Sequence, residues 1–122
     1  MNGINYLVDT NCFIYLLDEN PIMLPFLEDT WAFSYVTEIE LLCKKGISSH
    51  EELVIKDMLN SCFKINHTQK LTDTVISLKR KYHIKLPDAI IAASAQLLQI
   101  PLITVDKGFA KISDIDCILL DF

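Results

Sequence analysis

The chain has 122 residues, of which 51% are hydrophobic and 22% charged, with three Gly and four Pro. This length suits one domain with a substantial core and is too short for two ordinary domains, so we expect a single domain over residues 1–122. The composition excludes disordered, low-complexity and collagen-like proteins. No apolar run approaches the roughly 18 residues of a membrane span, and the first five residues lack the basic start of a secretion signal. We expect a cytoplasmic protein without membrane contact.

Net charge and cysteine spacing argue against two further kinds of function. The formal net charge of −5 at pH 7 argues against a protein that holds nucleic acid by its overall charge. The four cysteines are widely separated, with no C-x-x-C pair and no histidine at metal-ligand spacing, which argues against a zinc site. We expect them to be reduced residues of the core. They are Cys12, Cys43, Cys62 and Cys117.

Strand and helix signals alternate along the first third of the chain. Residues 4–8 form an apolar run typical of a buried strand, and polar N-cap residues at 9–11 precede a predicted helix over residues 12–17. Aromatic and other β-favouring residues predict a second strand over residues 31–36. Thr37 is then a predicted N-cap, opening a helix over residues 38–45 that Gly46 ends.

Two amphipathic helices are predicted in the middle of the chain. Val54, Met58 and Cys62 recur at every fourth position, which predicts a helix over residues 49–62 with these side chains on its buried face. A similar apolar spacing between Leu71 and Tyr82 predicts the second helix.

The last third of the chain returns to alternating elements. Pro87 suits the first position of a helix, and residues 88–98 are apolar almost all round, so we expect this helix to be buried on several sides. Asp106 can cap a short helix that extends to Ile112. The alternation predicts an α/β, three-layer sandwich with a central, mainly parallel sheet flanked by helices. The remaining strands are predicted at residues 63–66, 102–105 and 117–120.

Four acidic residues follow predicted strands or begin predicted helices: Asp9, Glu40, Asp88 and Asp106. The carboxyl ends of parallel strands lie at one edge of a sheet, so these carboxylates are expected to converge there. Converging carboxylates repel one another, and a site of oxygen ligands favours Mg²⁺ or Mn²⁺ over zinc. A metal held there would lower the pKa of a bound water for phosphodiester hydrolysis, which is nuclease chemistry.

Each acid also has a purely structural interpretation. Asp106 suits an N-cap, and Asp88 suits the positive end of a helix dipole. Glu40 lies three residues after Thr37 and fits a capping box, while Asp9 suits a turn. The combination of the four, rather than any single acid, favours a metal site.

Four segments together resemble a known family. They read Leu-Val-Asp-Thr-Asn at residues 7–11, Glu-Leu at 40–41, Leu-Pro-Asp-Ala-Ile-Ile-Ala-Ala at 86–93 and Thr-Val-Asp-Lys-Gly-Phe at 104–109. Their order and spacing resemble the PIN-domain ribonucleases, and within them the VapC-like toxins of type II toxin–antitoxin systems. The resemblance covers nearly the whole chain.

This resemblance implies an endoribonuclease that uses Mg²⁺ or Mn²⁺ and water to cut RNA, leaving 5′-phosphate and 3′-hydroxyl ends. It also implies a homodimer, held inactive by a cognate antitoxin protein whose tail covers the acidic cleft. Glu38 competes with Glu40 for its role, but the Glu-Leu pair at 40–41 fits the family better. The implied catalytic and metal-ligating residues are Asp9, Glu40, Asp88 and Asp106, supported by Thr10, Asn11 and Thr104.

A metal that neutralised those four acids would bring the net charge from −5 to −1, so bulk charge would no longer argue against RNA. The basic residues before Asp88 then predict contacts with RNA phosphates. The alternative is a solvated helix end whose cations complement the helix dipole. The residues concerned are Lys79, Arg80, Lys81 and Lys85.

Other functions remain open at this point. A PIN-like domain without activity would be an interaction module, and the same metal site in related nucleases acts on DNA or flap structures. A receiver-type phosphoacceptor domain would use Asp57, but the helical periodicity places that residue on a helix surface, and only Asp9 follows the first strand. Four aromatic residues suit either ordinary core packing or an apolar patch for a dimer mate or antitoxin. They are Phe13, Tyr15, Phe26 and Trp31.

Overall fold

A central sheet of five strands organises the protein in a computed structural model that describes residues 3–121. Residues 1 and 2, part of the segment considered above for a secretion signal, and residue 122 lie outside the described range. The strands are β1 (Tyr6–Val8), β2 (Trp31–Ser34), β3 (Phe63–Ile65), β4 (Leu102–Thr104) and β5 (Cys117–Leu119). The helices are α1 (Thr10–Leu17), α2 (Tyr35–Leu42), α3 (Ser49–Asn60), α4 (Gln69–Lys81) and α5 (Leu86–Leu98). Two 3₁₀ helices cover Pro21–Phe26 and Lys107–Lys111.

The strand order is β3-β2-β1-β4-β5, and all four neighbouring pairs are parallel. The predicted α/β fold with a mainly parallel sheet is therefore confirmed. The early strands β2 and β3 lie on one side of β1, and the late strands β4 and β5 lie on the other. The order in which strands are added to the sheet therefore switches sides between β1 and β4. Open parallel sheets bind ligands at such a switch point, beyond the carboxyl ends of the strands.

Side chains that alternate along the strands separate two hydrophobic clusters. Leu7 of β1 belongs to a cluster with α4 and α5, whereas Val8 belongs to a cluster that includes residues of α1, α2 and α3. The sheet thus lies between two helical layers, as predicted. Phe13 and Trp31 are buried in the second cluster with their rings edge to face, 5.7 Å apart, so they form core rather than a partner patch. Among residues 3–121, no helix has the length and apolarity needed to cross a bilayer.

The predicted start of α2 is wrong. β2 ends at Ser34, whose hydroxyl accepts a hydrogen bond from the Val36 amide at 3.2 Å and caps the helix. The helix therefore begins at Tyr35 and ends at Leu42, three residues earlier than predicted at each end. Thr37 lies inside the first turn and is buried. Because Thr37 is not the N-cap, the capping-box interpretation of Glu40 is also wrong.

The buried face of α3 differs from the prediction by one position. Ile55 and Leu59 face the core with 8% and 4% exposure, whereas Val54 is 40% exposed. The other two predicted residues, Met58 and Cys62, are partly buried against the same core cluster. A periodicity of four fits either row of side chains, and only contact with the sheet selects one. Asp57 is exposed on this helix, as expected.

All four cysteines are free thiols, as predicted, but they are not all core residues. Cys12 is fully buried, whereas Cys43 is exposed because α2 ends before it and leaves it at the C-cap. α5 begins at Leu86, so Pro87 is its second residue rather than its first. The expected burial of this helix on several sides is confirmed.

Candidate active site

Asp9 lies at the carboxyl end of the central strand β1 and caps α1. The residue is 5% exposed, and its carboxylate is held by two donors. Oδ1 accepts a hydrogen bond from the Thr10 amide at 2.8 Å, and Oδ2 accepts one from the Thr104 hydroxyl at 2.7 Å. Two bonds from different elements fix the orientation of this carboxylate.

Thr104, the last residue of β4, connects Asp9 with Asp106. Its hydroxyl is fully buried, donates to Asp9 and accepts a hydrogen bond from the Asp106 amide at 3.0 Å. Asp106 in turn accepts a hydrogen bond from the Gly108 amide at 2.8 Å, which caps the following 3₁₀ helix. A Cβ at position 108 would lie 3.1 Å from Asp106 Oδ1, so glycine permits this close approach. The expected N-cap role of Asp106 is confirmed, and it leaves the residue at the sheet edge.

Glu40, in the second turn of α2, reaches the same edge from the adjacent element. The Thr10 hydroxyl donates to Glu40 Oε1 at 2.7 Å. Thr10 therefore contacts two of the predicted acids, Asp9 through its amide and Glu40 through its hydroxyl. Glu38 instead pairs with Lys64 of the edge strand β3 at 3.2 Å.

Asp88 is half-buried in the first turn of α5 and completes the group electrostatically. Its pKa is raised by burial, then by the charges of Asp106 and Glu40, while Lys85 lowers it. Burial likewise raises the pKa of Asp9 to about 6, with smaller contributions from Asp88 and Asp106. The hydrogen bonds from Thr104 and Thr10 oppose that rise. The four acids thus share one region of negative potential.

This arrangement fits a divalent cation. The donors are carboxylate and hydroxyl oxygens, the atoms that Mg²⁺ and Mn²⁺ prefer. Neighbouring carboxylates contribute to the raised pKa of Asp9 and of Asp88, and a cation among them would reverse that effect. No group of three or more His, Cys, Asp or Glu side chains within residues 3–121 forms a ready-made metal cage. Side-chain rotation of the more exposed acids would therefore accompany metal binding.

The predicted supporting and RNA-binding residues differ in their contacts. Asn11 is exposed on the first turn of α1. The Lys79 ammonium donates to the Ile84 carbonyl, and Lys81 forms an ion pair with Asp114 at 2.8 Å. Arg80 is exposed on α4. Of the four predicted basic residues, Lys85 is the one whose charge lowers the pKa of Asp88.

A cavity of about 240 Å³ lies beside Asp88 and Asp106. Asp88, Asp106, Lys85 and Lys111 all line it. The Lys111 ammonium donates to the His83 carbonyl at 2.8 Å, which holds it at the rim. Positive charge therefore lies next to the acids on this side.

Sequence reasoning missed three residues near the site. Thr37 was expected to be a cap, yet its buried hydroxyl lies 3.0 Å from the Thr10 hydroxyl. Gly108, two residues after Asp106, carried a turn signal that was available in the sequence. The sequence around Lys111 carried no signal that marks a site residue, because this lysine reaches the cavity only through the fold of residues 83–111.

A parallel α/β sheet with four acids at its switch point is typical of nuclease-like domains. A comparison of the sequence with family models supports the same class. The sequence model of the PIN domain family, a family of nucleases, matches residues 6–115. The chain therefore belongs to the PIN domain family, and the resemblance noted above is confirmed. This membership and the exposed position of Asp57 exclude the receiver hypothesis.

Several solved structures that resemble the chain come from toxin–antitoxin complexes. A chain of a toxin–antitoxin complex from Klebsiella pneumoniae is 33% identical, with a TM-score of 0.80 over 91% of this chain and 95% of its own. A chain of VapBC-1 from nontypeable Haemophilus influenzae is 24% identical, with a TM-score of 0.81 over 95% and 98%. A chain of VapBC-5 from Mycobacterium tuberculosis is 22% identical, with a TM-score of 0.66 over 96% and 98%. No curated protein matches the chain.

Proposed function

We propose that this single PIN-like domain is a Mg²⁺- or Mn²⁺-dependent endoribonuclease and the VapC-like toxin of a toxin–antitoxin pair, acting in the cytosol. One observation carries the proposal. A buried carboxylate at the end of β1, Asp9, is held by two hydrogen bonds and faces the charges of Asp88 and Asp106. An arrangement of like charges with a fixed central ligand is suited to a divalent cation.

The metal would be held by Asp9, Glu40, Asp88 and Asp106. When bound, it supplies Lewis acidity for hydrolysis of a phosphodiester by water. The protein side chains have separate tasks. Thr104 and the Thr10 amide orient Asp9, and Asp9 must lose its proton to act as a ligand.

The substrate contacts are proposed from charge. Lys85 and Lys111 line the same cavity as Asp88 and Asp106, so an RNA phosphate that enters it would meet both cations and two acids of the metal site. Lys79 and Arg80 extend this basic surface along α4. Lys81 is part of the same basic surface, but its ammonium is already paired with Asp114. We therefore expect Lys85 to contribute more to RNA binding than Lys81.

The proposed partners are a cognate antitoxin and a second copy of the chain. A groove of about 470 Å³ between α1, α2 and α3 is lined by Glu40 together with Ile14, Leu41 and Val54. An antitoxin segment seated in this groove would cover the edge of the acidic site. The toxin–antitoxin complexes among the similar structures support such a partner. Homodimerisation is proposed from the family, with light scattering as its test.

Incubation of the purified protein with structured RNAs, beside matched DNA substrates, tests the activity. We expect cleavage of RNA in Mg²⁺ or Mn²⁺, none in EDTA, and a loss of at least about a hundredfold in Asp9→Asn, because several kcal/mol of charge stabilisation are removed. Full-rate cleavage by Asp9→Asn would refute the mechanism. Cleavage of DNA alone would refute RNA as the substrate. Metal binding without cleavage would instead favour an inactive interaction module.

A further inference from the structure

The connection between α4 and α5, residues 82–85, ends at Lys85 and is bonded to the segment that follows Asp106. The Tyr82 hydroxyl donates a hydrogen bond to Asp114 Oδ1 at 2.6 Å. We propose that Tyr82 is a positioning residue, which holds this connection, and with it Lys85, at the rim of the cavity proposed to bind RNA phosphates. This inference rests on the RNA contacts of the proposed function.

The two backbone carbonyls just before Lys85 are held by lysines from two different elements. The Lys111 ammonium donates to the His83 carbonyl at 2.8 Å, and the Lys79 ammonium donates to the Ile84 carbonyl. Lys79 belongs to α4, whereas Lys111 ends the 3₁₀ helix that follows β4. The connection is therefore bonded to the helix that it leaves and to a segment 28 residues away.

The Tyr82 phenol makes a second link to that distant segment. Its oxygen accepts a hydrogen bond from the Ser113 amide at 3.3 Å, while its proton is given to Asp114. Asp114 Oδ2 accepts a hydrogen bond from the Lys81 ammonium at 2.8 Å, and the Asp114 side chain is 14% exposed. Both bonds lower the pKa of Asp114, that from Lys81 more than that from Tyr82. An ionised Asp114 thus holds the end of α4 by charge-assisted hydrogen bonds.

Lys85 is an unusual residue for the start of a helix. It is the N-cap of α5, yet its side chain makes no cap hydrogen bond. The other four α-helices of residues 3–121 have N-cap side chains that accept a hydrogen bond from a backbone amide. The helix dipole also disfavours a positive charge at this end. Stability of α5 therefore does not explain Lys85, whereas a contact with substrate phosphate does.

The connection between α2 and α3, residues 43–48, shows that such a turn can be held by short-range bonds. The Ile47 amide donates to the Lys44 carbonyl at 3.3 Å, and Lys44 forms an ion pair with Glu51 at 3.4 Å, seven residues away. Tyr82, in contrast, reaches a carboxylate 32 residues away. Closing the turn alone therefore does not require the Tyr82 hydroxyl.

Removing only this hydroxyl tests the proposal. The Tyr82 ring packs against the core cluster that contains residues of α4 and α5, and Tyr82→Phe keeps that ring. Binding of a single-stranded RNA oligonucleotide is measured by fluorescence anisotropy at several salt concentrations, in the Asp9→Asn background to prevent cleavage. We expect about threefold weaker binding and a salt slope that falls toward that of Lys85→Gln, because a mobile Lys85 makes fewer phosphate contacts. Asp114 is left unchanged, since its replacement would also release Lys81.

Tyr6→Phe is the matched control. The Tyr6 phenol also forms a hydrogen bond with an aspartate, Asp29, but Tyr6 is the first residue of β1, at the opposite end of the strand from Asp9. Each variant should lower the thermal midpoint by at most about 4 °C. Only Tyr82→Phe should weaken RNA binding. An equal loss of RNA affinity in Tyr6→Phe would show that affinity follows stability, which would overturn the positioning role.

A double-mutant cycle tests the route through Lys85. In a Lys85→Gln background, Tyr82→Phe should cost no further RNA affinity, because the charge that it positions is absent. Parental RNA affinity in Tyr82→Phe, or the same loss in the Lys85→Gln background, would overturn the inference alone. A parent protein that binds no RNA would overturn the proposed RNA contacts as well.

Discussion

The acidic edge has two halves that are built differently. Asp9 is buried at the end of the central strand and receives hydrogen bonds from Thr10 and Thr104. Asp88 and Asp106 form an outer pair at the starts of α5 and a 3₁₀ helix, where they are half-buried and exposed. The inner acid is held by its surroundings before any metal arrives, whereas the outer pair faces a cavity and solvent.

The two halves also differ in what raises the pKa of their carboxyls. For Asp9, burial dominates and hydrogen bonds oppose it. For Asp88, burial is followed by two neighbouring charges and is opposed only by Lys85. In the proposed metal site, a fixed inner acid and more exposed outer acids would let a cation bind without repacking the core. Site residues with similar chemical roles can therefore have very different effects on stability.

Replacing Asp88 should produce the largest functional effect with a small structural one. We expect Asp88→Asn to lower RNA cleavage by at least about a hundredfold, since a carboxylate ligand is lost. Its free energy of unfolding should change less than that of Asp9→Asn, because Asp88 is only half-buried. Single-turnover cleavage and urea denaturation of both variants measure the difference. Equal shifts in stability would contradict the distinction between the two halves.

Asp9→Asn should stabilise the metal-free protein at neutral pH. The rise of the Asp9 pKa from 3.8 to about 6 corresponds to about 3 kcal/mol. The lost hydrogen bond from Thr104 cancels about 1 kcal/mol, which leaves roughly 2 kcal/mol. Because the folded protein binds this proton more tightly than the unfolded chain, the penalty in the parent grows as the pH rises from about 4 to above 6.

Urea denaturation in EDTA at several pH values measures this effect. The advantage of Asp9→Asn over the parent should be full at pH 7.5 and largely lost near pH 4, which is close to the unfolded pKa of 3.8 and well below the folded pKa of about 6. Excess Mn²⁺ should reverse the order, since it stabilises only a protein that binds it. A stability difference that did not vary with pH would show that burial of the Asp9 charge is not its cause.

The smallest effect is expected at the basic rim. Lys85→Gln should reduce the slope of log binding constant against log salt by about 0.7, as expected for one contact to single-stranded RNA. Lys81→Gln should reduce it less, because the Lys81 ammonium is held by Asp114 at 2.8 Å. Binding is measured in the Asp9→Asn background to prevent cleavage. A larger change for Lys81 than for Lys85 would place the RNA along α4 instead.

Much of the fold was predictable because it depends on local patterns. Apolar runs followed by polar N-cap residues indicated β1 and β4, and the alternation of elements indicated a parallel sheet. The position of acids after those strands then indicated one edge of the sheet. These features depend on periodicity and chain order, which are visible in any single sequence.

Other features depended on contacts between distant segments. Thr37 was the predicted N-cap of α2. Ser34 caps the helix instead, because β2 ends there. The face of α3 that is buried, Ile55 and Leu59, was selected by the sheet. The contacts of the Thr10 hydroxyl with Thr37 and Glu40 join residues 27 and 30 positions apart. Periodicity and capping signals describe neighbours along the chain, whereas the direction of a hydrogen bond between elements is decided only when they pack.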